Sequence, residues 1–352
     1  MRETAKRAFV AALVVVAVVA AAIALWKLKL VIALLFLGFI IAAAMRPGID
    51  ALARRGFPRS VGILGHYVAA AGIIALLLWA IVPRAITQVQ EAIGDLPEEA
   101  RESTGFKQDV LQRVQNWLEE LPSGDRLVEQ MADPALEAGR TAIEISLGVL
   151  FTLACAAYWI YERERAENLV VSLLPRKRRR VVRDTWELID LKLGAYVRGQ
   201  LLLIAFVATM LSFIFWAIGL PFWLLIGVFA GFVEIVPVIG PILAGALAVG
   251  VGLTVSWQVA VGAGIAVLMV RLFEDYIVIP RVLGHAVGLT PLTVLVAVAA
   301  VTILFGGFAV LLAIPLAAVI ATLIDVTVLG KQPSEEDVPA VLFPAKEAET
   351  EG

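Results

Sequence analysis

The chain has 352 residues, 61% of them hydrophobic and 17% charged, with a formal net charge of −2 and a mean hydropathy of +0.90. That composition excludes a soluble globular domain and, lacking a basic excess, gives no support to a nucleic-acid partner. A single cysteine, Cys155, and two distant histidines, His66 and His285, exclude an intramolecular disulfide framework and argue against a metal site.

A helix crossing about 30 Å of hydrocarbon needs roughly 20 apolar residues. The first apolar run covers 8–26 behind Arg2, Lys6 and Arg7. It exceeds a signal-peptide core of about 7–15 residues, and a second run follows directly after Lys27 and Lys29, so it reads as an uncleaved membrane helix. Further spans are expected at 28–45, 60–82, 142–161 and 201–219. After Pro221 the pattern changes. Short segments at 222–235 and 240–255 are joined by Pro237, Gly240 and Pro241, a fuller span follows at 257–273, and segments 289–305 and 308–329 meet at Gly306 and Gly307. The fold class is therefore all-α, a polytopic membrane protein with about 7–9 apolar segments, some broken or re-entrant in the C-terminal half.

Basic residues orient the array. Arg46, Arg54, Arg55 and Arg59 lie in one loop and the run "RKRRR", Arg176 to Arg180, in another, so both loops are expected in the cytoplasm. The polar insertion from Pro83 to Arg140 then falls outside, in agreement with its six basic and twelve acidic residues. Within it, Phe106, Val110, Val114, Trp117, Leu118 and Leu121 form the face of an amphipathic helix that needs an apolar partner on the same subunit, a neighbour or lipid. Trp186, Ile189, Leu193 and Val197 make a similar face between Val181 and Gln200. "RKRRR" is either a topology signal alone or a contact for anionic lipid. Parity brings both termini to the cytoplasm.

No P-loop, paired zinc ligands or nucleophile elbow is present, so neither catalysis, a metal nor a cofactor is expected. The functional candidates are polar groups beside broken backbone. Glu234 is the strongest, because a carboxylate at the bilayer centre costs about 2.5–3.5 kcal/mol and must face protein, water or a cation. Pro237 and Pro241 would free the carbonyls of Val233 and Pro237, giving with Gly240 a polar pocket beside it. The alternative is a helix end near the interface, with Glu234 simply wet. A second cluster, "RLFEDYIVIPRVLGHAVGLTPL", places Glu274, Asp275 and Arg281 near Pro280, Gly284, Gly288 and Pro291, as a gate of ion pairs or as a solvated loop with one structural pair. Asp325 needs a partner that the sequence does not name, and Asp190 and Glu144 read as helix-end residues.

The stretches "GAYVRGQ", "GLPFWLLIGVFAGFVEIVPVIGPILAG", "EDYIVIPRVLGHAVGLTPLTVL" and "FGGFAVLLAIPLAAVI", in that order, resemble the autoinducer-2 exporter family of bacterial membrane transporters. The resemblance implies an inner-membrane protein with cytoplasmic termini, homo-oligomeric, exporting the furanone autoinducer-2 or exchanging sodium or lithium for protons. Two positions depart from the family pattern: Glu234 stands where Asn or another polar residue is frequent, and Arg271 where Gln is usual. An acid at 234 favours a cation or a proton-coupled step; an amide favours a neutral polyol-like solute.

The expected organisation is N-terminal transmembrane helices over 1–82, the external insertion over 83–140, a transport core over 141–330 with a cytoplasmic loop at 162–200, and a disordered acidic tail over 331–352. The expected function is a secondary transporter that exports a small polar solute, with H+ or Na+ as coupling ion. Glu234 and the Pro237–Pro241 backbone would form its site, with Arg271, Glu274, Asp275 and Arg281 as gate or coupling network. A cation/proton antiporter, a passive channel and a membrane scaffold are the alternatives.

Overall fold

The computed structural model describes residues 2–102, 124–236, 239–282, 289–336 and 338–342. The described residues are helical throughout, joined by turns and short connections, without a strand. Helices α1 (Arg2–Lys27), α2 (Lys29–Arg54), α3 (Arg59–Glu102), α4 (Gly124–Ser172) and α5 (Arg179–Ala217) come first. Four shorter ones follow: α6 (Trp223–Val233), α7 (Ile239–Val255), α8 (Trp257–Phe273) and, after a π-helical turn at Glu274–Val278, α9 (Ile279–Val282). The last two, α10 (Pro291–Phe305) and α11 (Val310–Thr327), form a hairpin. Among the described residues, six helical segments are long and apolar enough to cross a membrane, which makes this a multi-pass membrane protein.

Helix ends follow local chemistry. Ser256 caps α8 by accepting from the Val259 amide at 3.2 Å, and Thr290 caps α10 by accepting from the Thr293 amide at 3.3 Å. Gly219, at φ +71°, closes α5 in the left-handed conformation that L side chains resist, so that the Leu220 amide reaches the Phe215 carbonyl at 2.9 Å.

Helix α5 is the axis of the bundle. Its apolar second half packs on α6 and α8, with Val207, Leu211 and Phe215 meeting Ile226, Ala230, Ala263 and Ala266. Its polar first half packs on α2 and α11, where Leu193 joins Ala33, Ile40, Ala43 and Leu312. The face expected from Ile189, Leu193 and Val197 therefore finds its apolar partner within the chain, and Trp186 stacks on Trp159 of α4 at 6.0 Å. By contrast α1 buries nothing in its membrane window and rests on α2.

Close helix approach rests on small residues. A Cβ at Gly194 would lie 2.5 Å from the Ala43 carbonyl, and one at Gly227 2.2 Å from the Ser212 hydroxyl. Pro47, inside α2, removes the amide that would otherwise bond the Ala43 carbonyl, so this crossing brings α5 against an unusually open stretch of backbone. Arg198 uses the neighbouring acceptor, donating from Nη1 to the Ala44 carbonyl at 3.2 Å.

Four expectations are revised. The polar insertion begins and ends as continuations of membrane helices, since α3 runs on to Glu102 and α4 starts at Gly124; the Phe106 to Leu121 face lies outside the described residues. The stretch 162–200 is two helical arms, not a loop. The tail was expected to be disordered, but Lys331–Glu336 and Val338–Leu342 pack on the bundle, with Val341 buried against Ala195. Asp190 is likewise not at a helix end: it sits well inside α5, paired with Arg163 and Arg46.

The Gly194 contact gives a direct test. Gly194→Ala is expected to destabilise the protein by about 1–3 kcal/mol through overpacking, while Gly65→Ala, whose added Cβ meets nothing within 4 Å, is expected to be neutral; thermal unfolding in detergent micelles measures both.

Candidate functional site

The α6–α7 hairpin turns beside Gln200, whose side-chain amide donates to the Glu234 carbonyl at 3.3 Å. Gln200 marks a boundary on α5. Before it come Arg183, Asp184, Glu187, Asp190, Lys192 and Arg198, and after it Leu201–Ala217 carries no charge. Glu234 therefore lies level with the polar edge of the apolar layer and not at its centre. It is nonetheless only 6% exposed, so the wet helix end considered as the alternative does not describe it.

Backbone geometry explains the break. The Val236 amide donates to the Val233 carbonyl at 2.9 Å, and a Cβ at Gly240 would come within 2.1 Å of that same oxygen. The Val233 carbonyl expected to be freed by Pro237 is thus occupied and covered. Pro241 sits in the first turn of α7, where its missing amide would have had no helical partner, so it starts a helix instead of interrupting one. Pro237 itself lies outside the described residues.

Arg271, near the end of α8, gathers the acids. Its Nη1 is 2.5 Å from Glu234 Oε1 and 3.3 Å from Glu274 Oε2, and its Nη2 is 3.0 Å from Asp275 Oδ1. Glu274 and Asp275 fall at i+3 and i+4 from the arginine, so one helical turn presents both to the same guanidinium. The π-helical turn begins at Glu274, with the Ile279 amide reaching back to the Glu274 carbonyl, and Pro280 follows in α9. Glu274 is 1% exposed.

The cluster contains three carboxylates and one cation. The buried pair Glu234 and Glu274 shares a single guanidinium, and the half-exposed Asp275 adds a third negative charge. Both buried acids lie past the last residues of α6 and α8, outside the spanning stretches. Burial raises the Glu234 carboxyl against the pull of Arg271, and burial together with the neighbouring Glu234 raises Glu274 to about 7. Such a site can hold a proton or attract a small cation.

Other sequence candidates fall elsewhere. Arg281 is exposed on α9, and the ion pairs described for Glu274 and Asp275 are made by Arg271. Pro291 begins α10, where its lack of an amide is harmless. Gly284 and His285 lie outside the described residues. Asp325 pairs with Lys331 at 3.0 Å. The hairpin α10–α11 reaches the far end of the bundle, because Lys29, at the start of α2, donates to the Leu304 carbonyl at 3.3 Å.

A second polar network was not legible from local pattern. Asp190 joins Arg163 and Arg46, Arg46 also meets Asp50 at 3.4 Å, and Glu167 ties Arg163 to Arg183 at 3.3 and 2.9 Å. These pairs bind the arms of α2, α4 and α5 at the basic end. The available signal was a run of alternating charges on both arms, which does not reveal who pairs with whom.

Residues 12–329 match the family described as AI-2E family transporter. The chain belongs to this family. Among its relatives are "Putative transport protein YrrI" of Bacillus subtilis (strain 168), 26% identical over 298 residues, covering 81% of this chain and 83% of the relative. "Putative permease PerM" of Escherichia coli (strain K12) is 26% identical over 273 residues, covering 72% and 75%. The family expectation raised by the four C-terminal motifs is met over nearly the whole chain, and the protein is assigned a role in membrane transport.

Two outcomes test the cluster. Arg271→Gln strands two buried carboxylates and is expected to cost about 3–5 kcal/mol, whereas Arg271→Gln combined with Glu234→Gln and Glu274→Gln is expected to recover most of it; detergent melting curves compare them. Glu274 ionises at its ordinary 4.5 in the unfolded chain but at about 7 when folded, so over that interval the native state binds the extra proton and stability falls as pH rises, levelling above it. In Glu274→Gln that decline is expected to flatten.

Proposed function

We propose that the protein is a secondary transporter of the bacterial inner membrane that exports a small polar solute of the autoinducer-2 class, coupled to a proton or sodium ion at the Arg271 cluster. The observation that carries the reading is the charge count: Glu234, Glu274 and Asp275 surround one guanidinium at the turn of the α6–α7 hairpin, 37 residues from Arg271 in the case of Glu234. One of these carboxylates gains by binding H+ or Na+, and the position of the turn at the polar edge of the apolar layer gives that ion access from one side. The solute site would adjoin the turn, where Gly240 and Pro241 keep the backbone of α7 close to α6.

The same excess of negative charge favours cation/proton antiport as the second reading, in which the ion is itself the cargo. On either reading the basic end, with Arg46, Arg163 and the arm carrying Arg176 to Arg180, faces the cytoplasm together with both termini, and the working unit is a homo-oligomer in the bilayer.

Proteoliposomes loaded with candidate solutes and given imposed proton or sodium gradients test this. Gradient-driven flux is expected in the wild type and is expected to drop at least about tenfold in Glu234→Gln, the effect of removing one ion-binding group from a coupled step. Flux and pH dependence unchanged by the substitution would remove Glu234 from the mechanism, and equal flux without any gradient would make the protein a passive channel.

A further inference from the structure

Two cations of α5 are buried at the polar end, and among the described residues neither forms an ion pair with an acid on the helices around it. Lys192 is 5% exposed and Arg198 7%. The partners they do have come largely from the end of the chain. Lys192 Nζ donates to Glu336 at 2.6 Å and to the Thr322 hydroxyl of α11 at 3.1 Å. Arg198 Nε donates to the Val341 carbonyl at 2.8 Å, while its Nη1 holds Ala44 of α2. Around these bonds Val341 packs on Ala195, with Val338 and Val282 of α9 against them, and Pro333 is buried. Lys331–Glu336 and Val338–Leu342 are thus strapped across α5, α9 and α11.

A buried ammonium cannot be left with a hydroxyl alone, because a charge deprived of its partner away from water is strongly unfavourable. If Glu336 leaves, Lys192 loses its carboxylate and must be rehydrated, which competes with the hydrogen bond to Thr322 that ties α5 to α11. Docking of the strap therefore favours closure of that seam. The seam is also tied to the Arg271 cluster. Lys192, Arg198 and Gln200 lie in order along α5, and Gln200 holds the Glu234 carbonyl at the turn of the α6–α7 hairpin.

We propose that Lys331–Glu336 with Val338–Leu342 is a built-in latch whose docking on Lys192 and Arg198 keeps the α5–α11 seam shut and slows transport, and whose release opens the seam and speeds it. The effect on transport rests on the function proposed above; the opening of the seam does not. The trigger is competition for two buried cations, so anions and high salt at the polar face favour release.

The test has a readout for each half. In a Cys155→Ser background, Ala318→Cys, one turn before Thr322 on α11 and itself buried, reports water access to the seam through its rate of reaction with a soluble maleimide. Truncation after Gly330 and, separately, Glu336→Gln are expected to raise that rate at least about tenfold and to raise solute flux in proteoliposomes several-fold. A second form, Ala195→Cys with Val341→Cys, is closed by oxidation with the chain otherwise intact; flux is expected to fall on oxidation and to return on reduction. Labelling that stays slow after both truncation and Glu336→Gln overturns the opening of the seam. Labelling that rises while flux is the same in the released and the oxidised forms overturns the latch. If no solute moves in any form, the transport reading fails while the labelling still decides whether the strap closes the seam.

Discussion

A charge withdrawn from water at the edge of the apolar layer must be neutralised inside the protein, and the polar end of this molecule is arranged by that requirement. Arg271 is held by Glu234, Glu274 and Asp275, Lys192 by Glu336, and Asp190 by Arg163 and Arg46. Each set adds a polar tie between elements that also meet through apolar contacts: the turn of the α6–α7 hairpin and the end of α8, the Lys331–Glu336 and Val338–Leu342 stretches and α5, and the arms of α2, α4 and α5. A buried pair of this kind contributes little net stability over an apolar substitute, but losing one member is costly, so the pairs act chiefly to specify one arrangement.

Those pairs can form only because the backbones come close. Gly194 against Ala43, Gly227 and Gly231 against α5, and Gly240 against Val233 each leave no room for a Cβ. In an apolar solvent helices gain little from hiding hydrophobic surface from one another, and close van der Waals contact with interhelical hydrogen bonds takes over as the attraction. Proline works with this. Pro47 opens the backbone of α2 where Gly194 and Arg198 meet it, and Pro241 starts α7 directly after the hairpin turn. The polar cluster and the glycine contacts are two aspects of one packing solution, with α5 as its common member.

The position of the acidic cluster bears on mechanism. At the bilayer midplane Glu234 would be isolated from either aqueous phase, and its ionisation would be difficult to change. Level with Gln200, it is covered by protein yet close to the polar face, where an ion can arrive from one side. The excess of carboxylate over guanidinium makes arrival of a positive charge favourable. The family of transporters and the relatives named as transport proteins and a permease support a role in membrane transport.

Much of this was legible in the sequence, for physical reasons that differ by feature. Apolar runs of membrane length, the breakers at Pro221 and Gly306–Gly307, and the four C-terminal motifs determined the helical class, the order of the helices and the family, because length and hydropathy are local properties. Glu234 stood out as a charge amid apolar residues, and Arg271, Glu274 and Asp275 as a dense ionic stretch. What the sequence could not determine was pairing. Arg271 and Glu234 are 37 residues apart, Lys192 and Glu336 144, Arg163 and Asp190 27 on separate helical arms. Who neutralises whom depends on the crossing of helices, and crossings are set by contacts between distant glycines. For that reason Lys331–Glu336 and Val338–Leu342 read as part of a disordered acidic tail in isolation but pack as a strap in the fold, held by two buried cations and an apolar contact on α5.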